Sequence, residues 1–312
     1  MARAGASILA PRSPSQTLPL CLFYGNCQAV ALRLLAGRSS SFSGAYRSVA
    51  IPAVHELSAT QVPQIHRLVR EASVIVHQPV RNGIYGMPLG SEEIFADAPA
   101  DCRRITFGSL VDCSLYPFEA HATDLERRRI VAPLTISHDL RHIYCAAVGM
   151  DYEQALQWVE AFEPDPAAIR EVGARVRAKY LAREERVEIR VLGRLTSHEV
   201  VGGMFHSMYH PANRALLVLL AEIQRALGLA VEEPVPADQE LLAFERTPIE
   251  RCVIDALGVE AEPREHWETG GRHFSRRLVL GAHLSWYREE PAILERALAR
   301  SADQLTLFGL AV

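Results

Sequence analysis

Residues 18–24, LPLCLFY, form a continuous apolar run that ends at Gly25. A half-buried strand would alternate polar and apolar residues, and a surface helix would show polar residues on one side. An unbroken run this short suits a strand buried on both faces, as in a parallel sheet covered by helices. A helical pattern follows at 29–35. A second strand is expected at 46–51 and a second helix at 61–71, with Val62, Ile65, Leu68 and Val69 on one face. Residues 72–77 (ASVIVH) and 104–110 (RITFGSL) read as further strands. Strands and helices alternating in this order predict an α/β fold, with an open, mainly parallel sheet and right-handed crossovers in the N-terminal half.

The second half reads as mostly helical and packed on that sheet. Helices are expected at 151–162, 166–188, 213–227 and 291–298, with a proline-rich break at 232–237. The expected organisation is a disordered leader at 1–17 and one α/β domain at 18–312, sheet-rich over 18–125 and helix-rich over 126–312. The 312 residues are 49% hydrophobic and 22% charged, which excludes a largely disordered chain. A net charge of −4 excludes a globally basic nucleic-acid binder. No run approaches the ~18 apolar residues that span a bilayer, so no transmembrane segment and a cytoplasmic location are expected. None of the six cysteines forms C-x-x-C, so they read as free thiols, mostly buried.

Three polar clusters interrupt this pattern. Gly25-Asn26-Cys27-Gln28 lies where the first strand gives way to the first helix, and ligands of open α/β sheets bind beyond the carboxyl ends of strands. Gly25 permits close backbone approach, Asn26 can cap the helix, and Cys27 sits where the helix dipole favours anions and thiolates. An Asn cap and a core cysteine account for the same residues equally well. His77-Gln78-Pro79-Val80-Arg81-Asn82-Gly83 ends another buried strand; a solvated loop with an Asn-Gly turn is its plain reading. His206-Ser207-Met208-Tyr209-His210-Pro211-Ala212-Asn213 opens a later helix, with Pro211 suited to a helix start. The pairs His206/His210 and His138/His142 have the i, i+4 spacing of helical zinc ligands, but neither carries the Glu of H-E-x-x-H, and no metal is expected. Gly270-Gly271 reads as a loop or a helix end. The chain has no Walker A sequence, no G-x-G-x-x-G after a strand and no G-x-S-x-G.

Y-G-N-C-Q, H-Q-P-V-R and H-P-x-N, in this order, resemble the WcbI family of polysaccharide-biosynthesis enzymes, from about residue 20 to the final helices. The resemblance implies an enzyme of capsule or surface-polysaccharide synthesis that binds coenzyme A and acts as a sugar O-acetyltransferase. It also implies a sheet of the SGNH or flavodoxin kind. SGNH enzymes carry a nucleophilic serine where this chain has Cys27, and their C-terminal D-x-x-H has no counterpart near His266 or His283. Those departures weaken a serine-esterase mechanism.

The expected chemistry is acyl transfer from acetyl-CoA to a sugar hydroxyl, with a glycan or sugar nucleotide as acceptor and a polysaccharide assembly complex as a possible partner. His210 or His77 would be the general base, with Gln28, Asn26 and backbone N–H groups stabilising the oxyanion. An acetyl-Cys27 thioester is the covalent alternative. Gly25, Asn26, Gln28, Gln78, Arg81 and Asn213 are the candidate coenzyme A contacts, with Arg81 pairing a phosphate. Two other functions fit the same motifs: an SGNH-like glycan esterase or deacetylase, and a non-catalytic subunit that binds coenzyme A or a nucleotide.

Overall fold

The apolar run becomes β1, Leu20–Tyr24, buried along its whole length. In this computed structural model the described residues are 18–125, 128–195, 202–232 and 239–312. The expected leader at 1–17 and most of the proline-rich break lie outside them. The chain divides into two compact units: one takes residues up to 110 with 181–193 and 213–242, the other 111–180, 194–212 and 243–312.

In the first unit β1 joins β2 (Arg47–Ser48), β3 (Ala72–His77) and β4 (Arg103–Thr106) in the order β2-β1-β3-β4, every neighbouring pair parallel. The helices of this half are α1 (Cys27–Ala36), α2 (Ser40–Ala45), α3 (Val62–Glu71) and α4 (Ser91–Ile94). Alternation sorts the strand residues onto two faces. Leu20, Leu22, Tyr24 and Ile75 join Ile65 and Val69 of α3 in one apolar cluster with Phe95. On the other face Phe23 meets Phe42 of α2, ring centroids 5.8 Å apart. Helix α1 packs against the helix Asn213–Ala226. The expected parallel α/β sheet is therefore present. Two strands are shorter than expected: β2 keeps two residues of 46–51, and β4 ends at Thr106.

The second unit holds small antiparallel pieces among helices. Glu119–Ala120 pairs His138–Asp139, and Phe205–Ser207 pairs His210–Pro211. Glu245–Arg246, Trp267–Thr269 and Arg272–Phe274 form a three-stranded antiparallel sheet. Helices Arg276–Glu289 and Pro291–Leu307 pack on Leu140–Ala147. The last helix runs nine residues beyond the expected 291–298. A buried Arg141 ties this unit together, with its guanidinium 2.7 Å from Asp139, 3.1 Å from Glu250 and over the Phe118 ring at 4.5 Å. Burial alone would raise the Asp139 carboxyl, but Arg141 holds it well below the ordinary carboxylate range. The C-terminal half is mostly helical, as expected. No helix among the described residues is long and apolar enough to cross a membrane.

Candidate functional site

The sheet order reverses between β1 and β3, and their carboxyl ends pair directly, Tyr24 opposite His77. That reversal is the switch point where doubly wound sheets take ligands. Three side chains brace the turn there. Asn26 caps α1, its Oδ1 accepting from Gln28 N at 2.9 Å. Gln78 Oε1 accepts from Asn26 N at 2.8 Å, while its Nε2 donates to Ser109 Oγ at 3.1 Å. Gln28 is clamped at both ends of its amide: Nε2 donates to Leu110 O at 2.8 Å, and Oε1 accepts from Leu110 N at 2.9 Å. Gly25 is required by close approach, since a Cβ there would lie 2.5 Å from Gln78 Oε1.

This geometry changes several expected roles. The Gln28 side chain, fully buried and engaged with Leu110, is a structural clamp and not a ready oxyanion donor. His77 shares the Tyr24 face of the sheet and lies edge-on to Phe95, centroids 4.7 Å apart. Its Nδ1–H donates to Gln78 O at 3.2 Å, and burial lowers its pKa, keeping the ring neutral. Alternation turns Gln78, not His77, toward the motif turn. Arg81 is exposed. Asn213 opens its helix with the side chain engaged twice: Nδ2 donates to Gln239 O at 2.9 Å and Oδ1 accepts from Leu241 N at 3.0 Å.

Cys27 is the first residue of α1 and is half-buried. The other five cysteines differ from the expected picture only in part: Cys21, Cys113 and Cys145 are buried, Cys102 is half-buried and Cys252 is exposed. Burial raises the thiol pKa of all five, that of Cys145 to about 12.

His210 lies in the second unit, beside Glu245, a carboxyl that no sequence motif announced. The histidine pairs do not share a helix face. His206 and His210 sit on paired strands, and the helix begins only at Asn213, because Pro211 cannot extend one. His138 bonds Tyr287 OH at 2.6 Å, while His142 turns to His283, Nδ1 to Nδ1 3.0 Å. His210 Nδ1 is 2.8 Å from Ser207 Oγ and 3.6 Å from Glu245 Oε2. Glu245 Oε1 accepts from Ile136 N, Ser137 N and Ser137 Oγ at 2.8, 2.8 and 2.6 Å. Glu119 Oε2 accepts from Met208 N at 2.8 Å. Burial, then the neighbouring Glu245, push the Glu119 carboxyl up to about 8; burial also raises Glu245.

Around these carboxyls several buried atoms have no hydrogen-bond partner among the described residues: Glu119 Oε1, Glu245 Oε2 and both His121 ring nitrogens. His121 Nε2 lies 3.2 Å from Glu119 Oε1, but out of hydrogen-bond alignment. Burial, then Arg129, hold the His121 pKa well below its ordinary value. Glu119 and His121 line a cavity of about 220 Å³ whose wall also carries Lys179, Tyr180, Tyr209, Arg300 and Gln304. Neutral donors on the wall and two cations suit a polar ligand.

The model of the polysaccharide biosynthesis enzyme WcbI matches residues 20–232. The chain belongs to the WcbI family. The match spans all three motif clusters. A solved structure described as WcbI, a novel polysaccharide biosynthesis enzyme, covers 94% of this chain and 99% of its own, at 14% identity and a TM-score of 0.76. It shares the fold. That protein is described as native and without a disulfide bond between coenzyme A and one of its cysteines. No curated protein sequence matches.

Proposed function

We propose that this WcbI-family enzyme binds coenzyme A at the β1–α1 turn and moves an acetyl group from acetyl-CoA to a sugar hydroxyl. The observation that carries the reading is Cys27 at the first position of α1, beyond the carboxyl end of β1 at the switch point of the sheet. A ten-residue helix offers its positive end to the coenzyme's phosphates or to an oxyanion. Family membership, and a relative whose description pairs coenzyme A with a cysteine, support the same ligand.

In the direct route the acceptor oxygen attacks the thioester carbonyl while a base takes its proton. The tetrahedral oxyanion collapses, the C–S bond breaks, and the leaving thiolate recovers the proton as CoA–SH. Oxyanion donors come from the α1 backbone and Asn26, since Gln28 is held by Leu110. Arg81 serves a phosphate. Gln78 and Asn213 act through the backbone they brace.

Intact-mass spectrometry after mixing with acetyl-CoA separates the routes. An acetyl adduct absent from Cys27→Ser establishes the thioester; full transfer by Cys27→Ser without an adduct establishes direct attack. Hydrolysis of a simple acetyl ester without coenzyme A points to an esterase, and binding without transfer to any acceptor points to a non-catalytic subunit.

A further inference from the structure

The sequence Trp267-Glu-Thr-Gly-Gly-Arg-His-Phe274 folds into a two-residue hairpin. Gly270 and Gly271 both have positive φ, 58° and 76°, the combination a type I′ turn requires. Such a turn fixes register, here Trp267 opposite Phe274, Glu268 opposite His273 and Thr269 opposite Arg272. Trp267 and Phe274 are buried, so the other face carries Glu268 and His273 side by side. His266, next to Trp267, reaches the same group.

Among the described residues these three form the one group of His, Cys, Asp or Glu side chains whose ligand atoms all lie within 4.8 Å of one another. His266 Nε2 is 3.4 Å from Glu268 Oε1. Neighbouring ligand atoms of a tetrahedral ion with bonds of about 2.0–2.1 Å are about 3.3 Å apart. The His266 and His273 rings are 4.6 Å apart between centroids, and His273 is exposed, so its rotamer is free to close the remaining gap. His266 Nε2 is buried and has no hydrogen-bond partner among the described residues despite the nearby carboxylate. Arg246 Nε approaches the other carboxylate oxygen, Oε2, at 3.5 Å and leaves Oε1 to the histidines.

We propose that His266, Glu268 and His273 form a site for a divalent transition metal of the Zn²⁺ type. Two imidazoles and one carboxylate suit zinc and its neighbours, whereas Ca²⁺ and Mg²⁺ take all-oxygen ligand sets. Three protein ligands leave a fourth position for water or another donor. The ion would clip the hairpin to itself. This proposal is independent of the coenzyme A reading.

The test is a Zn²⁺ titration of chelator-treated full-length protein against a competing chromophoric chelator, repeated with His273→Ala and Glu268→Gln. The expected result is one Zn²⁺ per chain, weakened at least about tenfold by either substitution, the lower bound known even for outer partners of a metal ligand. Co²⁺ in place of Zn²⁺ should give a visible absorption band that His273→Ala removes. Either of two results overturns the site: no stoichiometric Zn²⁺ in the wild type, or binding that both variants leave unchanged. His273 is on the surface, so loss of binding with an unaltered melting temperature separates lost ligands from lost folding.

Discussion

The turn at the end of β1 and the carboxyl cluster around Glu119 are both polar groups set in apolar surroundings, but they are built in opposite ways. At the turn, both ends of the Gln28 amide, both ends of the Gln78 amide and the Asn26 carbonyl oxygen have partners. Around Glu119, carboxyl and imidazole atoms are buried beside a cavity without hydrogen-bond partners among the described residues. A fully bonded network fixes one geometry, which a recognition turn needs. A partly bonded network leaves polar capacity for water or a ligand, at a cost in stability. The first region should therefore be costly to mutate and insensitive to pH, the second cheap to mutate and sensitive to pH.

The largest expected contrast is with pH. Glu119 titrates near 8 in the folded chain against an ordinary value of 4.5. Between those values the native state binds the proton more tightly, so its contribution is full below about 4.5 and is lost as pH rises to about 8. The loss is at most about 1.4 kcal/mol per pH unit for one proton. Buried His77, His121 and His138, with lowered pKa values, act in the opposite sense below 6.5, so the readout is a difference. Urea denaturation at several pH values should show Glu119→Gln gaining on the wild type as pH rises from 5 to 8. A constant difference would break the contrast.

Next comes Gln28→Leu, which strips partners from the buried Leu110 N–H and C=O and should cost about 3 kcal/mol in the same assay. A cost below about 1 kcal/mol would show the clamp to be dispensable. Gly25→Ala forces a methyl against Gln78 Oε1 and should cost about 1–2 kcal/mol. In a Gln78→Ala background that penalty should shrink, and a double-mutant cycle measures by how much. Smallest is His121→Phe. Its ring nitrogens have no hydrogen bonds to lose among the described residues, so stability should move by less than about 1 kcal/mol in either direction.

The sheet was legible because β1 is a continuous apolar run and β3 is apolar but for the exposed Ser73 and the terminal His77, each followed by polar residues, a local signal. The final helix was read too short because its buried stripe past residue 298 is carried by Ser301 and Leu305, and a serine does not register as apolar. Gly270-Gly271 fits a loop or a helix end by sequence, and only the pairing of Glu268 with His273 makes it a hairpin turn. The motif turn could be located from Gly25-Asn26-Cys27-Gln28 alone, but the clamp on Gln28 could not, because Leu110 lies 82 residues away. Glu119, His121 and Glu245 come from two-residue strands and their flanks, too short to carry any periodic pattern. Their shared environment exists only after folding.

The central claim is that the start of α1 receives the coenzyme. Asn26→Asp tests it directly, since Asp caps a helix as well as Asn but adds a negative charge where an anion would sit. Two unit charges 4 Å apart interact by about 4 kcal/mol at an effective dielectric of 20, enough for more than about a tenfold loss of affinity. Isothermal titration with coenzyme A should give one molecule per wild-type chain and at least tenfold weaker binding to Asn26→Asp, with an unchanged melting temperature. No binding by the wild type, or equal binding by both proteins, would contradict it.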